Sequence, residues 1–198
     1  MRLARSQLRP VWSANETKLC SAMKLHPEIE KVLNEQINHE FYSAYAYLAM
    51  AGWFEHESLN GFAAWMTLQG REELGHALKF RRYLCDRGGR VVLLQLAQPK
   101  GDFKSPLEVF ELSLQQEQQV SSLIARIYDL SEEHKDHPTA SFLRWFLDEQ
   151  VEEEKTVHDM IAKLKLAGDN ANGLFLLDQQ AGERATTKPS TATAGDNS

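Results

Sequence analysis

Apolar and polar residues alternate along most of the chain with the period of amphipathic α-helices. Pro27 suits the first turn of a helix, and the apolar positions after it recur every three or four residues, at Ile29, Leu33, Ile37, Phe41, Ala44, Tyr45, Leu48 and Gly52. This pattern predicts a first helix over residues 27–54. A second helix is predicted over residues 60–87, after a short polar turn that can cap it. It ends at Gly88 and Gly89, because glycine terminates helices.

The second half of the chain shows the same organisation. Ser105, Pro106 and Glu108 form a capping box with proline in its preferred place, so a third helix starts there and runs to about residue 133. After a turn at 134–138, a fourth helix spans about 138–166 and ends at Gly168. Four long amphipathic helices predict an all-α, four-helix bundle over residues 26–168.

Residues 89–104 join the second helix to the third. The segment is too long for a hairpin turn, and it is too apolar to be expected to remain fully exposed to solvent. A crossover along the outside of the bundle needs about this length, and it makes the second and third helices parallel. Val91–Leu94 also fit a β-strand. The extended crossover is preferred, covered by a second subunit, because an exposed apolar run usually marks a contact surface.

Both ends of the chain differ in composition from the bundle. Residues 1–25 are read as an N-terminal extension, basic and without hydrophobic periodicity. A transit peptide fits this segment, but translation from Met23 or a disordered extension is favoured. Residues 169–184 predict a short fifth helix, whose run of four apolar residues indicates a contact between subunits. Residues 185–198 form a Thr, Ser, Ala, Gly and Pro tail that is expected to be disordered.

Composition and charge exclude several classes of function. The 198 residues, 42% hydrophobic and 25% charged, suit one globular domain with an ample core. A net charge of −6 argues against non-specific nucleic-acid binding and favours attraction of cations. No apolar run approaches the roughly 18 residues that cross a membrane. Cys20 and Cys85 form neither a disulfide framework nor a Cys-x-x-Cys motif, so a reducing, cytoplasmic setting is expected.

The candidate chemistry begins with Glu73 and His76. Three residues apart on a helix, a carboxylate and an imidazole share one face and can bind one metal ion. Their stripe is otherwise largely apolar, so the pair is predicted to point inward. An internal repeat with an offset of 77 residues indicates two half-bundles, and it relates Glu40 to Glu117, Glu72 to Glu149, Glu73 to Gln150, and His76 to Glu153.

Four acids fall on the predicted inward stripes, one on each long helix, and no lysine or arginine shares those stripes; the acids are Glu40, Glu73, Glu117 and Glu153. Isolated carboxylates cost several kcal/mol each to bury. Two divalent cations would balance the four charges, with His76 as a neutral ligand, and a hydrated polar core is the alternative. Oxygen-rich ligation with one imidazole suits iron or manganese better than structural zinc. Tyr47 lies on the face of Glu40, either as a participant or as a core tyrosine.

With these positions placed, residues 23 to about 183 resemble the bacterial non-haem ferritins. The motifs that carry the resemblance are residues 33–40 (LNEQINHE), Glu72-Glu73-x-x-His76, Phe142-Leu143-x-Trp145, Glu149-Gln150-x-Glu152-Glu153-Glu154-Lys155 and Leu166-Ala167-Gly168. The resemblance implies one iron held by Glu40, Glu73 and His76. It implies a second iron held by Glu73, Glu117 and Glu153, with Glu73 bridging and Gln150 close by. An accessory third iron site is implied at Glu72, Glu149 and Glu152, and Glu153 can share it.

The resemblance also implies an activity and an assembly. Fe²⁺ would be oxidised by O₂ or H₂O₂ at the paired site, and the ferric product would be stored as mineral inside a homo-oligomeric shell of 24 subunits. No haem is expected, because Gln150-x-x-Glu153 replaces the second Glu-x-x-His of bacterioferritins and Leu74 replaces their haem-ligating methionine. Ala140 and Leu143 stand where animal ferritins carry the carboxylates of their three-fold channels.

Two other functions remain open from the sequence. A di-iron oxidase or peroxidase without iron storage would act on a small substrate, have a cavity beside Tyr47 and form a small oligomer. A helical assembly protein would have no metal, and its buried acids would only be hydrated.

Overall fold

The computed structural model describes residues 25–187, and the regular structure in this range is five α-helices. They are α1 (Pro27–His56), α2 (Asn60–Asp86), α3 (Pro106–Glu133), α4 (His137–Ala167) and α5 (Ala171–Thr187). α1 pairs with α2, α3 pairs with α4, and α1 also packs along α3. α5 packs against α2 and α4. The predicted fold class, an all-α four-helix bundle with a short fifth helix, is confirmed. No helix in the described range is long and apolar enough to span a membrane.

The predicted ends of the helices are correct to within a few residues. Gly88 and Gly168 have φ values of 72° and 53° and end α2 and α4, because glycine adopts this left-handed conformation without strain. Ser105 Oγ accepts a hydrogen bond from the Glu108 N–H at the start of α3, as predicted. The other half of the capping box differs, since the Glu108 carboxylate accepts from Lys104 N.

The crossover between α2 and α3, residues 87–105, contains no strand, so the extended crossover is confirmed and the alternative of a β-strand at Val91–Leu94 is wrong. Its covering by a second subunit stays a prediction. Asn34 of α1 holds the start of the crossover through two hydrogen bonds. Its Nδ2 donates to Arg90 O at 3.0 Å, and its Oδ1 accepts from Val92 N at 2.7 Å. The side chains of Val92, Leu93 and Leu94 are exposed on the single subunit. The crossover is therefore fixed at one end by α1 while its apolar residues remain uncovered.

The core of the bundle is divided along its length. One apolar cluster surrounds Phe54, Phe62 and Phe110, and a second surrounds Phe80 and Phe146. Most of the buried side chains that lie between these clusters on the four long helices are polar. A polar layer thus crosses the middle of the bundle, where the sequence predicts the acids.

The inward stripe predicted for α1 is wrong in its second half. Tyr45, Leu48 and Gly52 are exposed, whereas Tyr47 and Phe54 are buried. The physical reason is that α1 has two apolar faces. Tyr45 and Leu48 belong to the second face, which lines a surface groove of about 310 Å³ together with Phe41, Ala44, Gly70, Arg71, Leu74 and Leu96.

The ends of the chain lie largely outside the described residues. The predictions for residues 1–24 and 188–198 fall there, but Leu25 is buried in the core and α5 continues to Thr187. Residues 185–187, predicted as the start of the tail, are the last turn of that helix.

The cap of α2 comes from α5, so the prediction of a cap from the polar turn before α2 is wrong. Leu59 is the N-cap residue and has no side-chain hydrogen bond, whereas Asp178 Oδ1 accepts from Phe62 N at 2.8 Å. The close approach depends on Gly61, because a Cβ atom there would lie 1.7 Å from Asp178 O. A helix distant in sequence therefore completes the start of α2.

Replacing Gly61 with alanine should displace α5 and destabilise the protein by about 1–3 kcal/mol, as over-packing does elsewhere. Hydrogen exchange at the amides of α5 should rise. Gly52→Ala is the matched control, because Gly52 is in α1 and a Cβ atom added there would meet nothing within 4 Å. That change should stabilise the helix by roughly 0.5–1 kcal/mol. Equal exchange rates in the Gly61 variant and the native chain would contradict the proposed packing of α5.

Candidate metal centre

Each long helix contributes at least one buried carboxylate to the polar layer. Glu40 of α1, Glu73 of α2, Glu117 of α3 and Glu153 of α4 are each 0–2% exposed, as the sequence predicts. No lysine or arginine is buried anywhere within residues 25–187. The negative charge of the layer is therefore not balanced by a buried basic side chain of the described residues.

The tightest group of possible ligands is Glu40, Glu73 and His76, whose ligand atoms all lie within 4.8 Å of one another. His76 Nδ1 is 3.6 Å from Glu73 Oε2. His76 is 4% exposed, and neither of its ring nitrogens makes a hydrogen bond within the described part of the chain. A buried imidazole in this state loses its interactions with water without replacing them. The donor set of two carboxylates and one imidazole fits a divalent metal ion.

Glu117 and Glu153 lie close to this group but are not part of its 4.8 Å cluster. Repulsion from Glu117 and from Glu153 acts on Glu73, which shows that both acids face the same interior. The structure brings Tyr47 and Gln150 to Glu117: the Tyr47 hydroxyl donates to Glu117 Oε1, and Gln150 Nε2 donates to Glu117 Oε2 at 3.2 Å. Glu73 of α2 therefore interacts with acids of the other three long helices, namely Glu40, Glu117 and Glu153.

Burial makes Glu40, Glu73 and Glu117 hard to ionise. Desolvation raises the pKa of Glu40 well above its ordinary value, and repulsion from Glu73 adds to the effect. The pKa of Glu73 is also raised well above normal, first by desolvation and then by Glu117. Desolvation raises the pKa of Glu117 to about 7, although the hydrogen bond from Tyr47 opposes the rise. The layer is therefore disposed to hold protons when no cation is bound.

The predicted accessory acids are more dispersed. Glu72 is 3% exposed and interacts electrostatically with Glu73, whereas Glu149 is half-buried beside Lys79 and Glu152 is exposed. Within residues 25–187 these three acids do not form a compact three-ligand group. An ion held by them would need side-chain movement or ligands from elsewhere.

A second group of possible ligands lies at one end of the bundle, at His26, Glu28 and His134. Its side chains are exposed or half-exposed, and the two imidazole rings stack at 3.7 Å. His26 Nδ1 accepts from Glu28 N as the cap of α1. His134 Nε2 is 3.2 Å from Glu28 Oε2. Because this group is solvent-accessible and one nitrogen of each ring already has a hydrogen-bond partner, it suits metal binding less well than the buried one.

Two residues at this centre had no assigned role in the sequence analysis. Gln36 Nε2 donates to Glu40 Oε1 at 2.8 Å, and Gln69 Nε2 donates to Glu153 Oε2 at 2.7 Å. Each glutamine lies four residues before an acid of its own helix, at Glu40 and Glu73. A polar residue on an inward stripe at that spacing is the signal that could have identified them.

The positions expected from animal ferritins for channel carboxylates are not on the surface. Ala140 is 4% exposed and Leu143 is 0% exposed, and both lie inside the subunit. Neither side chain therefore reaches the surface of the single subunit to any large extent.

The fold and the centre define a class of protein, namely the four-helix bundles that carry carboxylate and histidine ligands in their interior. The family model for the ferritin-like domain matches residues 30–167, and the chain belongs to this family. It is 41% identical over 160 residues to the bacterial non-heme ferritin of Staphylococcus aureus (strain USA300), which covers 81% of this chain and 96% of the relative. It is 43% identical over 161 residues to the bacterial non-heme ferritin of Staphylococcus saprophyticus, with the same coverage.

Solved structures give the same result. The chain is similar to an open pore ferritin from the archaeon Archaeoglobus fulgidus, with a TM-score of 0.79, 39% identity, and coverage of 80% of this chain and 98% of the archaeal one. A closed form of the Archaeoglobus fulgidus ferritin, engineered by site-directed mutagenesis, matches with the same TM-score and 40% identity, covering 80% of this chain and 97% of that chain. The predicted resemblance to bacterial non-haem ferritins is therefore confirmed.

Proposed function

We propose that this protein is an iron-storage ferritin that oxidises Fe²⁺ at the buried centre and retains the ferric product. Glu40, Glu73 and His76 bind one Fe²⁺, and Glu73, Glu117 and Glu153 bind a second, with Glu73 bridging them. Glu72, Glu149 and Glu152 form an accessory station for a third ion. Iron is the substrate and cargo in this scheme, no haem takes part, and a cytoplasmic setting is expected.

The observation that carries the proposal is the buried negative charge. Glu40, Glu73, Glu117 and Glu153 are almost completely buried, and no buried lysine or arginine accompanies them in residues 25–187. Two divalent cations would balance the negative charge of the four carboxylates. Protonation would also remove that charge, but a buried group of neutral acids would have no evident function. The names of the relatives, bacterial non-heme ferritins, support iron as the metal.

The residues of the centre contribute to oxidation in two ways. Carboxylate oxygens are hard ligands and stabilise Fe³⁺ relative to Fe²⁺, which favours loss of an electron. The raised pKa values of Glu40, Glu73 and Glu117 mean that these groups release protons when iron binds. Each turnover removes one electron from each of two Fe²⁺ ions. O₂ takes up both electrons and two protons to give H₂O₂, or H₂O₂ takes them up to give two waters.

Tyr47 is the residue best placed to assist this reaction. Its hydroxyl donates to Glu117 and lies 2.8 Å from Ser113 Oγ, so its position is fixed from two sides. We propose that Tyr47 supplies a hydrogen bond to the second iron position through Glu117. It can also give one electron to O₂ or H₂O₂ in place of one Fe²⁺, with its proton passing to the carboxylate.

Storage requires a shell, and the exposed apolar surface supports self-association. Tyr45, Leu48 and Leu74 line one apolar groove, which Leu96 of the crossover also lines. Val92, Leu93 and Leu94 of the same crossover are exposed. Such surfaces usually mark contacts between subunits. We propose a homo-oligomer of 24 subunits, the assembly that membership of the ferritin family implies.

One experiment tests the whole proposal: Fe²⁺ is added in air to the full chain, which is then analysed by size-exclusion chromatography with iron detection. A particle of several hundred kilodaltons that turns amber and keeps its iron is expected. A small oligomer that consumes O₂ without retaining iron would instead support a di-iron oxidase or peroxidase. A particle that takes up no iron would support a helical assembly with hydrated acids.

A further inference from the structure

Two buried glutamines touch the proposed iron ligands without being ligands themselves. Gln36 is 1% exposed and donates from Nε2 to Glu40 Oε1 at 2.8 Å. Gln69 is 0% exposed and donates from Nε2 to Glu153 Oε2 at 2.7 Å. One glutamine therefore serves an acid of its own helix, while the other joins α2 to α4 across the bundle.

Packing alone does not explain why glutamine occupies either of these two core positions. The side-chain oxygen of each, Oε1, is buried and makes no hydrogen bond within residues 25–187. A buried polar atom without a partner is unfavourable, and an apolar side chain of similar size would avoid this. The contribution of each glutamine must therefore come from the amide group that it directs at a carboxylate.

We propose that Gln36 and Gln69 are positioning residues for the two metal ions, one glutamine for each ion. This rests on the proposed function. Gln36 fixes one oxygen of Glu40, whose carboxylate lies within the 4.8 Å group that includes Glu73 and His76. Gln69 fixes one oxygen of Glu153, a ligand of the second ion.

The neutrality of the two donors is part of the proposal. An amide orients a carboxylate and leaves its full negative charge available to a cation. A lysine or arginine in the same place would orient the acid equally well, but it would cancel the charge that attracts the metal. Partners of this kind, which hold a ligand without touching the metal, commonly change metal affinity by about 10- to 100-fold when they are lost.

The test uses Co²⁺ titration of the full chain, followed by visible absorption, with Gln36→Met and Gln69→Met. Methionine is close to glutamine in length and removes the donor. A His76→Ala variant assigns the bands, because only the first ion has a nitrogen ligand. We expect Gln36→Met to weaken the histidine-containing site by about 10- to 100-fold, and Gln69→Met to weaken the all-oxygen site by a similar factor. Gln179→Met, on the exposed surface of α5, is the control and should titrate like the native chain.

The outcomes separate this inference from the function on which it rests. If the native chain binds two Co²⁺ ions and both variants bind them with unchanged affinities, the glutamines do not position the ligands, and the proposed function stands. Equal weakening of both sites in each variant, together with a loss of thermal stability, would point to a general packing defect and would also overturn the inference. If the native chain binds no Co²⁺ at the buried centre, the proposed function itself fails.

Discussion

Replacing Glu73 with alanine should abolish rapid oxidation of Fe²⁺, slowing it by more than about 100-fold. Loss of a partner that only supports a ligand already costs roughly 10- to 100-fold in metal affinity, and Glu73 is proposed to be a ligand of both ions. Its carboxylate lies 3.6 Å from His76 Nδ1 and is also acted on by Glu117 and Glu153. Without it, neither ion has a complete set of ligands, and nothing holds the two ions near each other.

Stopped-flow absorbance after mixing with Fe²⁺ in air measures the effect. Asp86→Ala is a suitable control on the same helix, because Asp86 is exposed and its only described ion pair is with Arg82 at 4.0 Å. The control should oxidise iron at the native rate. The alanine variant should keep its helical content, since removal of a buried charge does not by itself disrupt the bundle. Native kinetics in Glu73→Ala would show that the bridging assignment is wrong.

The positions of the four central acids could be predicted because helical periodicity and charge pointed to the same residues. Glu40, Glu73, Glu117 and Glu153 lie on inward stripes that contain no base, and the structure buries each of them. A local rule was enough here, since the direction of a side chain on a long helix depends mainly on its register.

The exposed half of the predicted stripe on α1 could not be identified from the single chain. Tyr45 and Leu48 continue the apolar period correctly, yet they lie on a second face that is uncovered in one subunit. A sequence records which residues are apolar but not which of two apolar faces meets its own core. The distinction depends on how α1 packs with α2, and on any partner that covers the outside.

Contacts between distant elements were the other part that the sequence did not predict. Asp178 caps α2 from a position more than a hundred residues away, and no local rule connects it to Phe62. Gln69 reaches Glu153 on a different helix for the same reason. Both are short polar contacts that become visible only when the helices are placed side by side, whereas Gln36 and Glu40, on one helix, lie within reach of a sequence argument.

Replacing Glu117 with glutamine should stabilise the metal-free protein at pH 8 by up to about 3 kcal/mol. Burial raises the pKa of Glu117 to about 7 from an ordinary value of 4.5, and this difference corresponds to about 3 kcal/mol at a pH above both values. Glutamine has nearly the same shape and no charge to desolvate. Its amide can accept the hydrogen bond from Tyr47, and Gln150 can turn its own amide to present an acceptor.

The effect should depend on pH in a defined direction. A group whose pKa is higher in the folded state binds its proton more tightly there, so this group makes the native apoprotein more stable as the pH falls from about 8 towards 4.5. Below that range the unfolded chain is protonated as well, and Glu117 contributes no further change. The glutamine variant lacks this contribution, so its advantage should be largest at pH 8 and small near pH 4.5.

Metal should reverse the order of stability, and this reversal distinguishes a ligand from an ordinary buried acid. Thermal unfolding with chelator should favour the Glu117→Gln variant at pH 8, whereas added Co²⁺ should stabilise the native chain more, because a ligand that binds only the folded state adds to its stability. Both forms must be compared in the same assembly state and at the same protein concentration. A variant that is less stable than the native chain at pH 8 with chelator would mean that Glu117 is ionised and well solvated there. In that case the desolvation of Glu117 would not be a reason for the centre to bind cations.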